Sequence, residues 1–253
     1  MKLPRPTAAA VTSVLAAALL AVLTACGGHG GRPAAGSSPA SSISGRPATS
    51  SPAAAPSQPS PGTASPAPPA RVLVSRLAYP WHWPNDVTAP GRVTHALAVP
   101  PVPELIQISV GSHPGGSGER PFNRMSFTFT TAFPSYRFQF ASQLVSDPGG
   151  QAIPLSGQGV LEIVFTQAQA HTADGTRSSV ISQPARSIGY QRMTSYAQAG
   201  DFEGVLSYGI GIHWPVEHSN PQFPVRAYEV ETVTASGQHR YTVAIDIDAS
   251  GPA

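Results

Sequence analysis

The sequence predicts an all-β protein, an antiparallel β-sandwich that follows a disordered N-terminal tether. Apolar and polar residues alternate with a period of two in several segments, which is typical of half-buried strands. Turn signals such as Asp147-Pro148-Gly149-Gly150 and Asp174-Gly175 separate those segments. All 13 acidic residues lie at or after Asp86, so only the later part of the 253 residues has the composition of a globular domain.

The predicted strands lie after residue 104. The segments that alternate, or that are apolar almost throughout, are 105–110, 124–130, 136–140, 160–165, 205–212, 226–233 and 241–248. The nearly continuous apolar run at 160–165 is typical of a central strand, and Ser236-Gly237 predicts a hairpin between the last two segments. Gly209 and Gly211 predict a bulge or a close backbone approach. Segment 187–199 comes nearest to a helical period and equally fits a strand.

The N-terminus has the features of an export signal. Lys2 and Arg5 precede an apolar run that is shorter than a membrane span, and the run ends in Leu23-Thr24-Ala25-Cys26. This ending resembles the lipobox of bacterial lipoproteins, and Cys26 is the only cysteine of the chain, so it has no disulfide partner. We therefore expect a lipoprotein signal peptide at 1–25 and a lipid on Cys26. The protein would then be anchored to the cell membrane on its extracytoplasmic face. The alternative is an ordinary signal peptide followed by a chance cysteine.

Two further segments precede the predicted domain. Residues 26–70 are rich in Pro, Ala, Ser and Gly and contain no aromatic residue, so we expect a disordered linker that spans roughly 35–40 Å as a flexible coil. Residues 71–103 carry six prolines from Pro80 onward, and we expect a lead-in arm with one strand at 71–77.

Charge argues against nucleic acid as a partner. The formal net charge is +2 and the pI is near 8.9, but the basic excess lies in the segments before the first acidic residue. A nucleic-acid surface needs clustered basic side chains on a folded face, and the predicted domain is slightly acidic.

Several motifs of the predicted domain resemble a known family. They lie at 106–113 with 122–129, at 134–138 with 147–150, at 161–163 with 170–171, and at 200–211. The most specific is Gly-Asp-Phe-Glu-Gly-Val-Leu-Ser-Tyr-Gly-Ile-Gly at 200–211. Together they resemble the AMIN-like domain of actinobacterial secreted lipoproteins. Met125 and Asn123 depart from the usual residues of that pattern.

The resemblance implies a β-sandwich at 104–249 that targets its host to the cell wall, through peptidoglycan or another wall polymer. Sugars are held by aromatic faces and planar polar groups. The candidate binding residues are Tyr136, Arg137, Asp201, Phe202, Glu203, Tyr208 and Trp214, with Trp81 and Trp83 on the arm. A groove flanked by Glu203 and Tyr208, with Arg137 as a polar partner, is the most specific arrangement that we expect.

Enzymatic alternatives find little support in the residues. Asp201 and Glu203 form the best carboxylate pair, but the adjoining glycines favour a turn that enters a strand. The candidate metal ligands, His171, His213, Glu217 and His218, lack a helical His spacing. A triad of His171, Asp174 and a serine has no nucleophile motif. We expect no catalysis, no metal and no cofactor.

The main alternative in function is an envelope lipoprotein that docks a partner protein through a sheet edge or through the proline-rich arm. A row of exposed aromatic residues would favour a sugar ligand. A bare edge strand would favour a protein.

Overall fold

A computed structural model describes residues 70–214 and 222–251. The signal segment, Cys26, the linker up to residue 69, Glu217 and His218 lie outside the described residues. Within the described part, no helix is long and apolar enough to span a membrane.

The described residues form twelve β-strands. In chain order they are β1 (Arg71–His82), β2 (Arg92–Val93), β3 (Leu105–His113), β4 (Phe122–Phe129), β5 (Ser135–Ala141), β6 (Leu144–Val145), β7 (Ala152–Ile153), β8 (Gly159–Thr166), β9 (Met193–Phe202), β10 (Val205–Ile212), β11 (Val225–Val233) and β12 (His239–Asp248).

The strands build two five-stranded antiparallel sheets. The first sheet has the order β1-β11-β12-β4-β3 and the second has the order β2-β5-β8-β10-β9, while β6 and β7 form a separate short ribbon. The prediction of an all-β antiparallel sandwich is confirmed. The apolar run at 160–165 lies in the central strand of the second sheet, and a hairpin joins β11 to β12 as predicted.

The core lies between the sheets, where the alternating apolar residues point inward. Phe127 of the first sheet contacts Phe165 and Tyr208 of the second, with ring centroids 5.0 and 5.3 Å apart. All three rings are at most 2% exposed. This two-residue period is why the sequence pattern locates the strands so well.

The segment expected as a lead-in arm contributes to both sheets. The strand predicted at 71–77 is present and runs on to His82, paired with β11. After a loop, β2 pairs with β5 at the edge of the second sheet. Residues 187–199, which the sequence left open, include the first part of strand β9.

Two edge strands, β3 and β9, are covered by other segments. The N–H of Ile108 in β3 donates to Ser182 O at 2.9 Å, and the N–H of Tyr196 in β9 donates to Arg186 O at 3.0 Å. The other edge of the second sheet is the two-residue strand β2, which pairs with the upstream part of β5. Among the described residues, the backbone of β1 bonds only to β11, so its outer edge is bare.

Candidate functional site

One half of the outer face of the second sheet is covered by the chain itself. Segment 142–158, which contains β6 and β7, packs over strands β9 and β10 through a small apolar cluster around Leu144. A β-carbon at residue 211 would stand 2.1 Å from Ser156 O, so only glycine permits this approach. The predicted close approach at Gly209 and Gly211 is thus made by the protein's own covering segment.

The other half of this face is bordered by loop 84–91. The side chain of Asn85 pairs with the backbone of Phe140 in both directions, accepting its N–H at 2.7 Å and donating to its O at 2.9 Å. Gly91 O accepts the N–H of Phe138 at 2.8 Å. A β-carbon on Gly91 would stand 2.4 Å from Phe138 O, which explains a glycine at this point. The loop is therefore held against β5 at both of its ends.

Arg92 and Arg137 lie opposite each other across the β2–β5 ladder and are both exposed. Cross-strand partners in an antiparallel pair project on the same side of the sheet. Two hollows meet at this arginine pair. The first hollow, of about 370 Å³, is lined by loop 84–91 and by β5 as far as Gln139. The second hollow, of about 290 Å³, lies against Thr94, Ser135, Val164 and Thr166.

The charge around the arginine pair is only partly balanced. Arg137 Nη1 is 3.8 Å from Glu162 Oε2, which also accepts a 2.9 Å hydrogen bond from Gln139. Arg92 has no ion pair among the described residues. Like charges placed directly opposite each other are unfavourable in a sheet, so the pair favours an anionic group between its guanidiniums.

Asp86 is the acidic residue of the first hollow, and its oxygens are already engaged. Oδ1 accepts the backbone N–H and the hydroxyl of Thr88, and Oδ2 lies 3.1 Å from His82 Nε2. The hydrogen bonds from Thr88 lower the pKa of Asp86. The Asp86 carboxylate thus stabilises the conformation of loop 84–91.

Tyr136 and Tyr208 are core residues, each 2% exposed. The hydroxyl of Tyr136 donates to the buried Glu229 at 3.1 Å, and the ring of Tyr208 packs on Phe127. Neither ring offers a face to a ligand. Because Tyr208 points inward and Arg137 outward, the structure does not bring them together into the expected groove.

The expected residues Asp201, Phe202 and Glu203 lie at the hairpin between β9 and β10. Asp201 Oδ2 accepts the N–H of Ala170 at 3.1 Å and lies 2.8 Å from His171 Nδ1, so it ties the loop after β8 to this hairpin. Glu203, with φ of 50°, and Gly204, with φ of 74°, form the turn itself. Phe202 is 58% exposed at the tip, and its cross-strand partner Val205 is 40% exposed.

The tryptophans form no exposed aromatic row. Trp214 packs against Phe223 with ring centroids 5.0 Å apart, and the Arg192 guanidinium lies 4.7 Å from its ring centroid. The guanidiniums of Arg120 and Arg226 lie 5.0 and 4.5 Å from the ring centroid of Trp81. Trp83 is 49% exposed.

The candidate triad is not assembled, because His171 pairs with Asp201 while Asp174 accepts from Thr172 and Thr176. Within the two described ranges, no cluster of three or more His, Cys, Asp or Glu is positioned to hold a metal ion.

Sequence reasoning missed Arg92 and the loop that precedes it. Because of the prolines in residues 71–103, the sequence predicts an arm outside the sandwich. The available signal was Pro90-Gly91 directly before Arg92-Val93, a turn pair followed by a short β-forming dipeptide.

The fold and the open face define a β-sandwich domain with a shallow concave surface centred on Arg92 and Arg137. The AMIN-like domain family matches residues 103–248, more than half of the chain, so the protein belongs to the AMIN-like domain family. The resemblance drawn from the motifs is thereby confirmed at the level of the domain. No curated protein and no solved structure gives a significant match to this chain.

Proposed function

We propose that this protein is a membrane-anchored, extracytoplasmic lipoprotein whose AMIN-like domain binds the cell wall without catalysis. Its ligand would be peptidoglycan or another wall polymer. Membership of the AMIN-like family supports a wall-related role. The observation that carries the binding site is the pair of hollows around Arg92 and Arg137, an open surface on a face that is otherwise covered by segment 142–158.

The shape of this surface suits an extended polymer. The hollows lie on either side of one arginine pair, so successive units of a chain-like ligand would occupy both. Exposed Gln139, Thr94 and Thr166 add hydrogen-bonding groups along the same path, which fits a polar polymer better than a compact apolar ligand.

The anchor is part of the proposal. A lipid on Cys26 would fix the chain to the membrane, and the tether predicted from the composition of 26–70 would let the domain reach the wall. Cys26→Ser should leave the precursor uncleaved or release the protein from the membrane fraction. Normal processing together with full membrane association of this variant would refute the anchor.

Co-sedimentation tests the binding function. The mature chain (residues 26–253) is mixed with purified sacculi, and the bound fraction is measured as a function of protein concentration. We expect saturable binding. A bound fraction no larger than that of an unrelated exported β-sandwich of similar charge would refute the proposal.

The bare edge of β1 favours a second candidate function, docking of a partner protein. Val72, Leu73, Val74 and Leu77 are 39–57% exposed, and the ladder with β11 is regular from Val74 to Leu77. Strand β1 contains no acidic residue, and its Arg71 is exposed, while Arg76 is half exposed and pairs with the buried Glu229. By charge complementarity its occupant would be an extended, acidic segment of an envelope protein, added as a further strand.

A proline substitution distinguishes this candidate from wall binding. The N–H groups of adjacent strand residues point to opposite edges, so Val74→Pro and Ser75→Pro are compared. Proline lacks an N–H, so the variant that loses the outward N–H should stay folded and block strand addition, while its wall binding should persist. Loss of sacculus binding by the folded variant would instead favour the β1 edge as the wall-binding element.

A further inference from the structure

We infer that the second hollow is an oxyanion site, which takes a phosphate or carboxylate group of a wall polymer. The inference rests on the proposed wall-binding function and names the chemical group that the site would recognise. Its lining contains two arginines, Arg92 and Arg137, with no aspartate or glutamate.

The guanidinium groups of Arg92 and Arg137 make the second hollow specific for oxyanions. A guanidinium is always charged and presents N–H donors in a planar fork that matches the oxygens of phosphate and carboxylate. Arg92 has no ion pair among the described residues, and the closest acidic contact of Arg137, Glu162, lies at 3.8 Å. Both side chains are exposed, so an anion can reach them without displacing a buried group.

Hydroxyl groups complete the lining. The hydroxyl of Ser135 is used within the protein, because it donates to His95 O and accepts the N–H of His95. Thr94 and Thr166 line the same hollow. Their hydroxyls make no hydrogen bond within the described residues and are available as further donors to an oxyanion.

The first hollow is less suited to an anion. It shares Arg92 and Arg137 but also contains Asp86, whose negative charge would repel a second anion, and the apolar rim of Pro84, Val87 and Pro90. A neutral sugar or peptide unit fits this lining better. The two hollows would therefore bind two parts of one repeating unit. The second hollow would bind a charged group, and the first hollow would bind its neutral neighbour.

A titration with small probes tests the oxyanion site without any wall material. The Nε–Hε resonances of the arginines are followed by NMR while glycerol 3-phosphate, acetate or neutral glycerol is added at constant ionic strength. We expect Arg92 and Arg137 to shift with the two anions and not with glycerol. Equal shifts of all exposed arginines, or none at Arg92 and Arg137, would overturn the inference.

Sacculus binding then tests the biological ligand. The double variant R92A/R137A should lose affinity by about tenfold or more, the usual effect of removing charge-assisted contacts. The control R177A/R186A removes the same charge from exposed positions outside both hollows and outside β1, and it should bind like wild type. If wild type binds sacculi and R92A/R137A binds equally well, the oxyanion inference is wrong while the proposed function stands. If wild type does not bind sacculi but the probes shift Arg92 and Arg137, the proposed function is wrong and the anion site stands.

Chemical treatment of the sacculi identifies the source of the anion. Hydrofluoric acid strips phosphodiester-linked polymers, and carbodiimide amidation neutralises carboxylates. Loss of binding after either treatment supports the inference and shows whether the bound group is a phosphate or a carboxylate. Unchanged binding after both would overturn it, as would equally strong binding to phosphatidylglycerol vesicles, which would assign the site to lipid headgroups.

Discussion

Gly209 lies directly beneath Leu144: a β-carbon at residue 209 would stand 2.7 Å from both methyl carbons of that leucine. Leu144 is 1% exposed and anchors the apolar cluster that holds segment 142–158 on the second sheet. The glycine-rich motif of β10 is thus explained by packing of the covering segment.

Gly209→Ala should therefore destabilise the domain by about 1–3 kcal/mol, the usual cost of overpacking a filled site. Urea unfolding measures the change. In a Leu144→Ala background, where the clashing methyl groups are absent, the same substitution should cost clearly less. Equal costs in the two backgrounds would show that the contact with Leu144 is not the reason for the glycine.

The strands could be predicted from the sequence because most of them bury one face. Segments such as 124–130 and 241–248 alternate cleanly, and they form β4 and β12. The full extent of β1 escaped prediction because bulges interrupt its register and Pro80 lies near its end. Long exposed edge strands carry little hydrophobic periodicity, since neither face is fully buried.

The candidate site was harder to predict, because it is made by the pairing of distant segments. Arg137 was singled out, yet its partner Arg92 is brought opposite to it only by the β2–β5 ladder. Tyr136 and Tyr208 have aromatic rings of the kind that stack on sugars, but both side chains point into the core. Sequence alone does not show which face of a sheet remains open after loops have packed on it.

Removing Arg76 should loosen strand β1. Glu229 is fully buried, and it accepts a 2.6 Å hydrogen bond from Arg76 Nε and lies 2.8 Å from His95 Nε2. Arg76→Met leaves this carboxylate with one partner fewer and should reduce the free energy of unfolding by about 1–3 kcal/mol. Arg71→Met, at an exposed position on the same strand, is the matched control and should change it by less than about 0.5 kcal/mol. Equal stability of the two variants would contradict a stabilising role for the Arg76–Glu229 pair.

Alkaline pH should destabilise the domain. Burial raises the pKa of the Tyr136 and Tyr208 hydroxyls above the ordinary value near 10, and the charges of Glu229 and Asp201 raise them further. Above pH 10 the unfolded chain loses these protons while the folded chain keeps them, so the free energy of unfolding falls as pH rises. Each such tyrosine contributes a slope of about 1.4 kcal/mol per pH unit.

Tyr208→Phe removes one of these groups and should flatten that slope. Urea unfolding between pH 9 and about pH 11.5 measures the effect, a range chosen to span the ordinary tyrosine pKa. Identical slopes for wild type and Tyr208→Phe would show that Tyr208 ionises equally in the folded and unfolded chains.

Asp201 and Glu203 should act on structure and not on catalysis. Asp201→Ala removes the acceptor of the Ala170 N–H and should cost about 1–3 kcal/mol, whereas Glu203→Gln at the exposed turn should cost less than about 0.5 kcal/mol. Neither the mature chain nor its D201N/E203Q variant should release soluble fragments from sacculi. Hydrolysis by the wild type that disappears in the double variant would make the protein an enzyme.

Hydroxyl-radical footprinting tests most directly which surface meets the wall. Val87 borders the first hollow and is 92% exposed, while Ile181, 83% exposed, lies outside both hollows. The mature chain is labelled with and without soluble wall fragments, and oxidation at each residue is read by mass spectrometry. We expect the fragments to protect Val87 and to leave Ile181 and the β1 residues Val72 and Leu77 unchanged. Protection of β1 with unchanged labelling at Val87 would contradict this prediction.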